Sequence, residues 1–318
     1  MQRAMNSRTA KRLDPILSDK DRQALMLLWR HRIATFQGLK SVLYPSLSNE
    51  RAYYILRRLK RGQYVRVEGT DGPNKRVWML DQRGFKFLVS NCLLPDLKAK
   101  GYRPQRAYHD LLVSAVLMGD WAISCPRSVR TITEQEMTAT ECSELPKEIR
   151  SELEHQPDGI WLFESNNTKA AIGLEVELTA KASDRYEQIC AFYTGQLFFK
   201  HVVWIVESKA LGQRILDCSQ RLGIPREGVH LFLLQQDLEK NGWDAKFLNS
   251  SMKDKSLANL LCGLAGIPRS SSSPSLVRPE SASNPSLVPQ TPFFQMLDFS
   301  FSLGNLKALK DRHRRENF

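Results

Sequence analysis

The length, composition and charge of the chain already exclude several protein classes. The sequence has 318 residues, of which 42% are hydrophobic and 25% are charged. Because a single hydrophobic core seldom grows beyond roughly 250 to 300 residues, we expect two domains and a tail in an ordinary globular protein. No apolar run reaches the roughly 18 to 20 residues that a membrane helix needs, and the basic first residues lack the apolar core of a secretory signal. We therefore expect a cytoplasmic protein without a membrane span.

Positive charge is concentrated in the first third of the chain. The net charge is +12, and residues 1–100 contain 21 Lys and Arg against 8 Asp and Glu. The remaining residues are nearly neutral as a set. A polyanionic partner explains this asymmetry, because each Lys or Arg near a phosphate releases condensed counterions and adds affinity. A charged face that only keeps the protein soluble is the alternative explanation.

Three helices, a hairpin and a closing helix are predicted within residues 18–94. Ser18, Thr35 and Ser48 are suited to cap the three helices, and Gly62 occupies the usual stop position of the third. That third helix combines apolar residues at helical spacing, which can face a core, with Arg and Lys residues that point elsewhere. The two strands and the closing helix are expected at 64–68, 75–80 and 81–88.

This order resembles the winged helix-turn-helix, in which the third helix enters the major groove and the wing touches the DNA backbone. Residues near the start of the third helix are then candidates for base edges, and the later cations are candidates for phosphates. The base candidates are Arg51, Tyr53 and Tyr54, and the remaining DNA-binding candidates are Arg57, Arg58, Lys60, Arg61, Lys75 and Arg76. A three-helix module that binds proteins through a solvated charged face is the alternative.

Helices and strands are interleaved in residues 105–266, which predicts an α/β domain with a mixed sheet. The helices are expected at 108–123, 183–193 and 211–222, and the strands at 129–134, 159–164, 171–179, 201–207 and 229–234. The third of these strands carries Glu175 and Glu177, which project together because alternate residues of a strand share a face. Its apolar surroundings indicate an inner strand, where ionised carboxylates are costly unless they are paired or bind a cation. A solvated edge-strand face is the alternative.

A third acid, Asp158, lies where a turn delivers the chain into the preceding strand. The interval between Asp158 and Glu175 has the size of a hairpin, with Asn166-Asn167 at its turn, so the two acids are expected to meet. Oxygen-only ligands suit a hard cation such as Mg²⁺ or Mn²⁺, which can polarise a phosphodiester and activate water. Lys181 follows closely enough to hold a phosphate or the attacking nucleophile. Asp158 as a simple turn residue is the alternative.

The acids at these positions resemble a known motif. Pro157-Asp158, followed by Glu175-Val176-Glu177 in a helix-strand-strand-strand-helix-strand order, looks like the PD-(D/E)xK core of restriction endonucleases. With the winged helix added, residues 18–235 are similar to replication-relaxation proteins, and most of all to the MobC-type relaxases of mobilisable plasmids. His109-Asp110 in the leading helix and the spacing of Glu177, Lys181 and Tyr186 contribute to this second resemblance.

The resemblance implies a metal-dependent, endonuclease-like nick at a transfer origin. The catalytic residues that it implies are Asp158, Glu175, Glu177 and Lys181, with the three acids as ligands of Mg²⁺ or Mn²⁺ and with His109, Asp110 and Tyr186 in auxiliary roles. One position departs from the motif, because Glu177 stands where a lysine is usual and the nearest lysine is Lys181. A non-catalytic DNA-binding regulator of replication or transcription, with a degenerate nuclease-like domain used for dimerisation or DNA contact, therefore stays open. For His109 a buried, satisfied histidine is the alternative, and for Tyr186 a core or substrate contact.

The expected architecture is α+β, with an N-terminal winged helix, a restriction-endonuclease-like domain and a disordered tail. The predicted segments are a basic arm at 1–17, the winged helix at 18–94, a linker at 95–104, the α/β domain at 105–266, a Ser/Pro-rich linker at 267–292 and an aromatic and basic tail at 293–318. The expected partner is double-stranded DNA at a transfer or replication origin. The tail suggests either a docking peptide for accessory mobilisation or coupling proteins or a DNA clamp, and a homodimer is among the expected assemblies.

Overall fold

The computed structural model describes residues 17–69, 76–91, 107–118, 129–138, 145, 155–165, 168–223, 228–249, 252 and 254–265. Several predicted features lie outside these residues: the arm before Leu17, the linker at 95–104, Lys75 with the tip of the hairpin, Asn166-Asn167, and the segments from 267 to 318. Within the described residues the protein is α+β, with a three-stranded and a five-stranded sheet. None of the helices in this part of the chain is long and apolar enough to cross a membrane.

The helical unit, residues 17–91, begins with capped helices. Its elements are α1 (Asp19–His31), β1 (Ile33–Thr35), α2 (Phe36–Leu43), α3 (Asn49–Arg61), β2 (Val65–Gly69), β3 (Arg76–Leu80) and α4 (Gln82–Ser90). Ser18 accepts a hydrogen bond from the Asp21 amide, and the Asp21 carboxylate accepts one from the Ser18 amide, which forms a capping box. Thr35 and Ser48 cap α2 and α3 with their side-chain oxygens. The three predicted helix starts are therefore confirmed.

The three strands of the helical unit pair in the antiparallel order β1-β3-β2. The β2–β3 pair is the predicted hairpin, whereas β1 was not predicted, because a strand of three residues is too short to show alternation. Ala52, Leu56 and Leu59 of α3 enter the core between helices and sheet. The remaining sides of α3 are therefore turned away from the core.

The sheet unit, residues 107–265, is built around a mixed sheet. Its elements are α5 (Ala107–Leu117), β4 (Val129–Thr133), α6 (Glu134–Thr138), β5 (Gly159–Ser165), β6 (Thr168–Glu177), α7 (Ser183–Gly195), β7 (Phe199–Val206), α8 (Lys209–Arg221), β8 (His230–Leu234), α9 (Gln235–Asn241) and α10 (Leu257–Ala265). The strand order is β4-β5-β6-β7-β8. The first three strands are antiparallel neighbours, and the last three run parallel. The predicted mixed sheet is confirmed, with β6 at its centre.

Helices cover both faces of this sheet. Ile189 of α7 and Ile215 of α8 belong to the apolar cluster on one face. Leu112 of α5, Leu238 of α9 and Leu261 of α10 belong to the cluster on the other. A strand enclosed in this way is apolar on both sides, which is why the acids of β6 stand out in the sequence. The short helices α6, α9 and α10 were not predicted.

The two units contact each other through apolar and charged residues. Ile33 and Met79 of the helical unit pack against Ala107 and Leu111 of α5. At the carboxyl end of α1, Arg30 forms an ion pair with Glu136 of α6 at 3.0 Å and donates a hydrogen bond to the Thr131 carbonyl. The end of α1 is therefore fixed to the sheet unit.

Candidate nucleic-acid interface and carboxylate site

The outward side of α3 is exposed and cationic. Its exposed aromatic and basic residues are Arg51, Tyr53, Tyr54, Arg57, Arg58, Lys60 and Arg61. With about 3.6 residues per turn, Tyr54, Arg57 and Arg61 lie opposite the buried residues and form the centre of this surface. Glu50 is the single acid in the sequence of α3. The surface therefore combines positive charge with an accessible aromatic ring.

Two of the predicted DNA-binding residues have structural contacts of their own. The guanidinium of Arg58 pairs with the carboxylate of Asp21, which is fully buried in α1. The Tyr53 ring meets Phe36 and Trp78 edge-on, with ring centroids 5.7 and 6.1 Å apart. Arg58 and Tyr53 therefore also hold α3 in place.

Tyr54 is the more accessible of the two tyrosines of α3, and Arg76 is exposed on the hairpin. Tyr54 is 66% exposed, against 40% for Tyr53. Arg76 is exposed at the start of β3, on the hairpin. Lys75 lies outside the described residues. The side chain of Tyr54 is thus the ring on this helix that a base or sugar could most easily reach.

Glu175 is held at the centre of the sheet by two neighbours. Its side chain is buried, its Oε1 lies 2.6 Å from Nε2 of His155, and the Tyr193 hydroxyl donates a hydrogen bond to the same oxygen. Gly173 makes room for the Tyr193 ring, because a Cβ at this position would lie 2.5 Å from Cε1 of that ring. Burial, and next the charge of Glu175, raise the pKa of Tyr193, so the phenol keeps its proton and remains a donor. The orientation of Glu175 is therefore fixed.

Glu177 is equally buried but has a different partner. Its Oε2 lies 2.6 Å from Nζ of Lys181, whose side chain is partly exposed. Burial raises the pKa of Glu177 to about 7; Lys181 acts against this rise, and the charges of Glu175 and Asp158 add to it. Glu175 and Asp158 are therefore close enough to influence Glu177, and the two glutamates lie on an inner strand rather than on a solvated edge.

Asp158 lies where β5 begins, next to the end of β6. Its amide donates to the Leu174 carbonyl at 3.0 Å, and its Oδ2 accepts a hydrogen bond from the Val176 amide at 2.9 Å. The register pairs Gly159 with Leu174, so the chain brings Asp158 and Glu175 to adjacent positions. The predicted pairing of the two strands that carry these acids is present. The Asp158 side chain also accepts a hydrogen bond from β6, so it is not a simple turn residue.

A cleft between the two units opens beside Asp158. It is partly open to solvent, and its lining includes Arg32, His109, Asp110, Glu134 and Asp158. Nε2 of His109 lies 3.2 Å from Oδ2 of Asp158, and its Nδ1 lies 3.1 Å from Oδ1 of Asp110. The imidazole is therefore placed between two carboxylates at the wall of the cleft.

The chemistry of the three acids fits a hard cation. Carboxylate oxygens are the ligands that Mg²⁺ and Mn²⁺ prefer. Burial is the main cause of the raised pKa of Glu177, the charges of Glu175 and Asp158 add to it, and a bound cation would favour the ionised carboxylate. Among the described residues, however, no group of three or more His, Cys, Asp or Glu side chains is arranged to hold a metal ion. A bound ion would have to draw Asp158, Glu175 and Glu177 together.

Tyr186 is part of the core. Its side chain is fully buried, and its hydroxyl accepts a hydrogen bond from the Lys181 amide at 2.9 Å. Burial raises its pKa to about 12. These contacts close the turn between β6 and α7, so Tyr186 fixes the backbone of Lys181.

Known proteins do not provide an assignment for this arrangement. No family model, curated protein or solved structure matches the chain.

Sequence reasoning did not single out His155, Tyr193 or Arg32. The sequence position of His155 could have identified it as a site residue, because it lies three residues before Asp158, at the entry to the same strand. Tyr193 reaches Glu175 only because α7 packs across β6. Arg32 reaches Asp110 and Glu134 only because the two units meet. The contacts of Tyr193 and Arg32 therefore depend on the tertiary fold.

Proposed function

We propose that this chain binds duplex DNA through α3 and the β2–β3 hairpin and nicks it, in a metal-dependent reaction, at the carboxylate site of the sheet unit. The proposed role is mobilisation or replication of a plasmid or another mobile element in the cytoplasm, at a transfer or replication origin. The observation that carries the proposal is the exposed cationic surface of α3, joined to a unit in which one of the three acids, Asp158, lines the shared cleft. Accessory mobilisation proteins are proposed as partners of the tail.

The DNA-binding part rests on the shape and charge of the helical unit. Three capped helices followed by an antiparallel hairpin are typical of a winged helix, in which the third helix lies in the major groove. Here the third helix is the cationic one, and its centre carries Tyr54, Arg57 and Arg61. Arg57 and Arg61 would contact phosphates, while Arg51 and Tyr54 would reach base edges.

The nuclease part rests on the order of elements and the placement of the acids. The order α5, β4, β5, β6, α7, β7, with the short α6 inserted, follows the order of the restriction-endonuclease core. Asp158, Glu175 and Glu177 would hold Mg²⁺ or Mn²⁺, which when bound would polarise the phosphodiester and activate water. Lys181 would stabilise charge on the phosphate, and Glu177 would complete the ligand set or take the proton of the attacking water.

A non-catalytic DNA-binding regulator is the second candidate. It is supported by two observations: Glu177 stands where the nuclease motif has a lysine, and Lys181 is ion-paired with Glu177. In this case the sheet unit would serve dimerisation or DNA contact. The two candidates share DNA binding and differ in strand cleavage.

Incubation with supercoiled plasmid distinguishes them. The plasmid should carry the intergenic DNA that neighbours the coding sequence, and the reactions should contain Mg²⁺, Mn²⁺ or EDTA. We expect wild-type protein to convert supercoiled DNA to open circles only with metal, and Asp158→Ala and Glu175→Ala to bind the DNA without converting it. Thermal unfolding of both variants serves as the folding control. Wild-type protein that shifts the plasmid in a gel yet leaves it supercoiled would exclude the nuclease and leave the regulator.

A further inference from the structure

The carboxylate site is connected to the helical unit by a continuous series of contacts between charged and polar side chains. Arg32 follows α1, and its guanidinium lies 2.8 Å from Glu134 and 3.7 Å from Oδ1 of Asp110. The same Asp110 oxygen lies 3.1 Å from Nδ1 of His109, and Nε2 of His109 lies 3.2 Å from Asp158. The contacts therefore run without a break from the end of α1 to an acid of the proposed metal site.

The side chains in this series of contacts are well shielded from solvent. The side chains of Arg32, Asp110, His109 and Asp158 are 14%, 6%, 17% and 15% exposed. Interactions between charges that are shielded in this way are screened less by salt than those of surface pairs. A change at one end is therefore expected to affect the groups at the other.

The backbone of Arg32 is also unusual. Its φ is +62° with ψ at −47°, a conformation that residues with a Cβ seldom adopt. Such conformations persist where the surrounding contacts hold them, and they concentrate at functional positions. At Arg32 the contacts that hold this conformation include Glu134 and Asp110, both in the sheet unit.

The other end of α1 is tied to the DNA-binding surface. Asp21, in the first turn of α1, pairs with Arg58 of α3. Ser114 of α5 donates a hydrogen bond to the carbonyl of His31, the last residue of α1. Thus the first turn of α1 contacts α3, and the last residue of α1 contacts the sheet unit.

We propose that Arg32 and Asp110 are positioning residues of the carboxylate site, which act on Asp158 through His109 and connect the site to the helix that supports α3. The inference rests on the proposed function, since it assigns these residues to the same site. Arg32 holds Asp110, Asp110 fixes the ring of His109, and His109 orients Oδ2 of Asp158. A residue that contacts a ligand of an ion directly, as His109 does here, typically changes metal affinity by roughly 10- to 100-fold when it is lost, and Asp110 and Arg32 act one and two contacts further away.

Arg30 provides a matched control for Arg32. Both are arginines near the end of α1, and both pair with an acid of α6, Arg30 with Glu136 and Arg32 with Glu134. Arg30→Met therefore removes a comparable contact between the units, while the contacts among Arg32, Asp110 and His109 stay in place. Arg32→Lys keeps a positive charge near Asp110 and serves as the rescue variant.

Two measurements on the full chain test the proposal. The first is the position of the His109 ring resonances in long-range ¹H–¹⁵N spectra without metal. The second is the affinity for Mn²⁺ alone, measured by electron paramagnetic resonance of the free ion. We expect Arg32→Met and Asp110→Asn to shift the His109 resonances and to lower Mn²⁺ affinity by up to roughly 10-fold, the lower end of the range for direct partners of a ligand. We expect Arg30→Met to leave both unchanged and Arg32→Lys to restore them in part.

The outcomes separate this inference from the proposed function. Unchanged His109 resonances in Arg32→Met, or equal changes in Arg30→Met, would overturn the positioning role and leave only an interface contact. Wild-type protein that fails to bind Mn²⁺ would contradict the metal-dependent function, and the His109 spectra would still decide whether Arg32 positions the ring. If Arg32→Met does not fold, the His109 resonances and Mn²⁺ affinities of Arg32→Lys and Asp110→Asn, compared with those of wild type, decide whether Arg32 and Asp110 have a positioning role.

Discussion

Replacement of Arg57 and Arg61 by alanine is expected to weaken the binding of duplex DNA by on the order of 50-fold at 0.1 M salt. Both side chains are exposed at the centre of the outward surface of α3. The slope of log affinity against log salt is negative, and each lost phosphate contact reduces its steepness by about 0.9, so two lost contacts reduce it by about 2. Fluorescence anisotropy of a labelled duplex, titrated at several salt concentrations, measures both quantities.

The control for this double variant removes the same charge elsewhere. Lys240 and Lys255 are exposed in the sheet unit, and Lys240→Ala/Lys255→Ala is expected to leave the affinity and the salt slope near the wild-type values. Equal losses in the two double variants would mean that net charge alone attracts DNA. In that case α3 would not be the binding surface.

The variant Glu177→Gln is expected to be more stable than wild-type protein at pH 8, by up to about 3 kcal/mol in the free energy of unfolding. The pKa of Glu177 is raised from 4.5 to about 7, with burial as the main cause. In the unfolded chain the carboxyl group loses its proton near 4.5, so the folded state binds more protons between these values. Wild-type stability therefore falls as the pH rises from about 4.5 to about 7, and glutamine does not titrate.

This stability difference should depend on pH in a defined way. In EDTA, chemical denaturation should give nearly equal stabilities for wild type and Glu177→Gln near pH 4.5 and the full difference above pH 7. Glu187→Gln, which removes the partner of Arg221 at the surface, is the control, and its effect should stay below about 1 kcal/mol at any pH. A Glu177→Gln variant that is less stable than wild type at pH 8 would show that the Lys181 contact outweighs burial.

A stabilising substitution at a buried acid would itself support a functional site. Natural proteins keep costly buried charges where activity needs them, and removing them commonly raises stability at the expense of function. We therefore expect Mn²⁺ to raise the unfolding temperature of wild-type protein at pH 8 more than that of Glu177→Gln. Binding to the folded state alone produces such a shift.

Local signals in the sequence predicted much of the fold. The caps Ser18, Thr35 and Ser48 act within three or four residues, so they could be identified without the tertiary structure. The alternation around Glu175 and Glu177 likewise predicted which side chains share a face of β6. The short elements β1, α6 and α9 give too few residues for a periodic pattern, and they were not predicted.

The site was predictable only in part, because its contacts cross the fold. The motif spacing indicated Asp158, Glu175, Glu177 and Lys181, and the structure brings Asp158 next to Glu175, on the strand that also carries Glu177. The residues that orient these acids lie on other elements. Tyr193 comes from the helix that covers β6, and the ring of His109 comes from α5. Such partners depend on packing, to which a single sequence gives no direct signal.

A photocrosslink from α3 to DNA tests the central claim most directly. A benzophenone side chain in place of Tyr54, which is 66% exposed at the centre of the proposed surface, can be compared with the same group in place of Leu197, which is 78% exposed in the sheet unit. After irradiation with a labelled duplex, we expect a covalent protein–DNA adduct from position 54 and little or none from position 197. An adduct from position 197 with none from position 54, in protein that still binds the duplex, would contradict DNA recognition by α3.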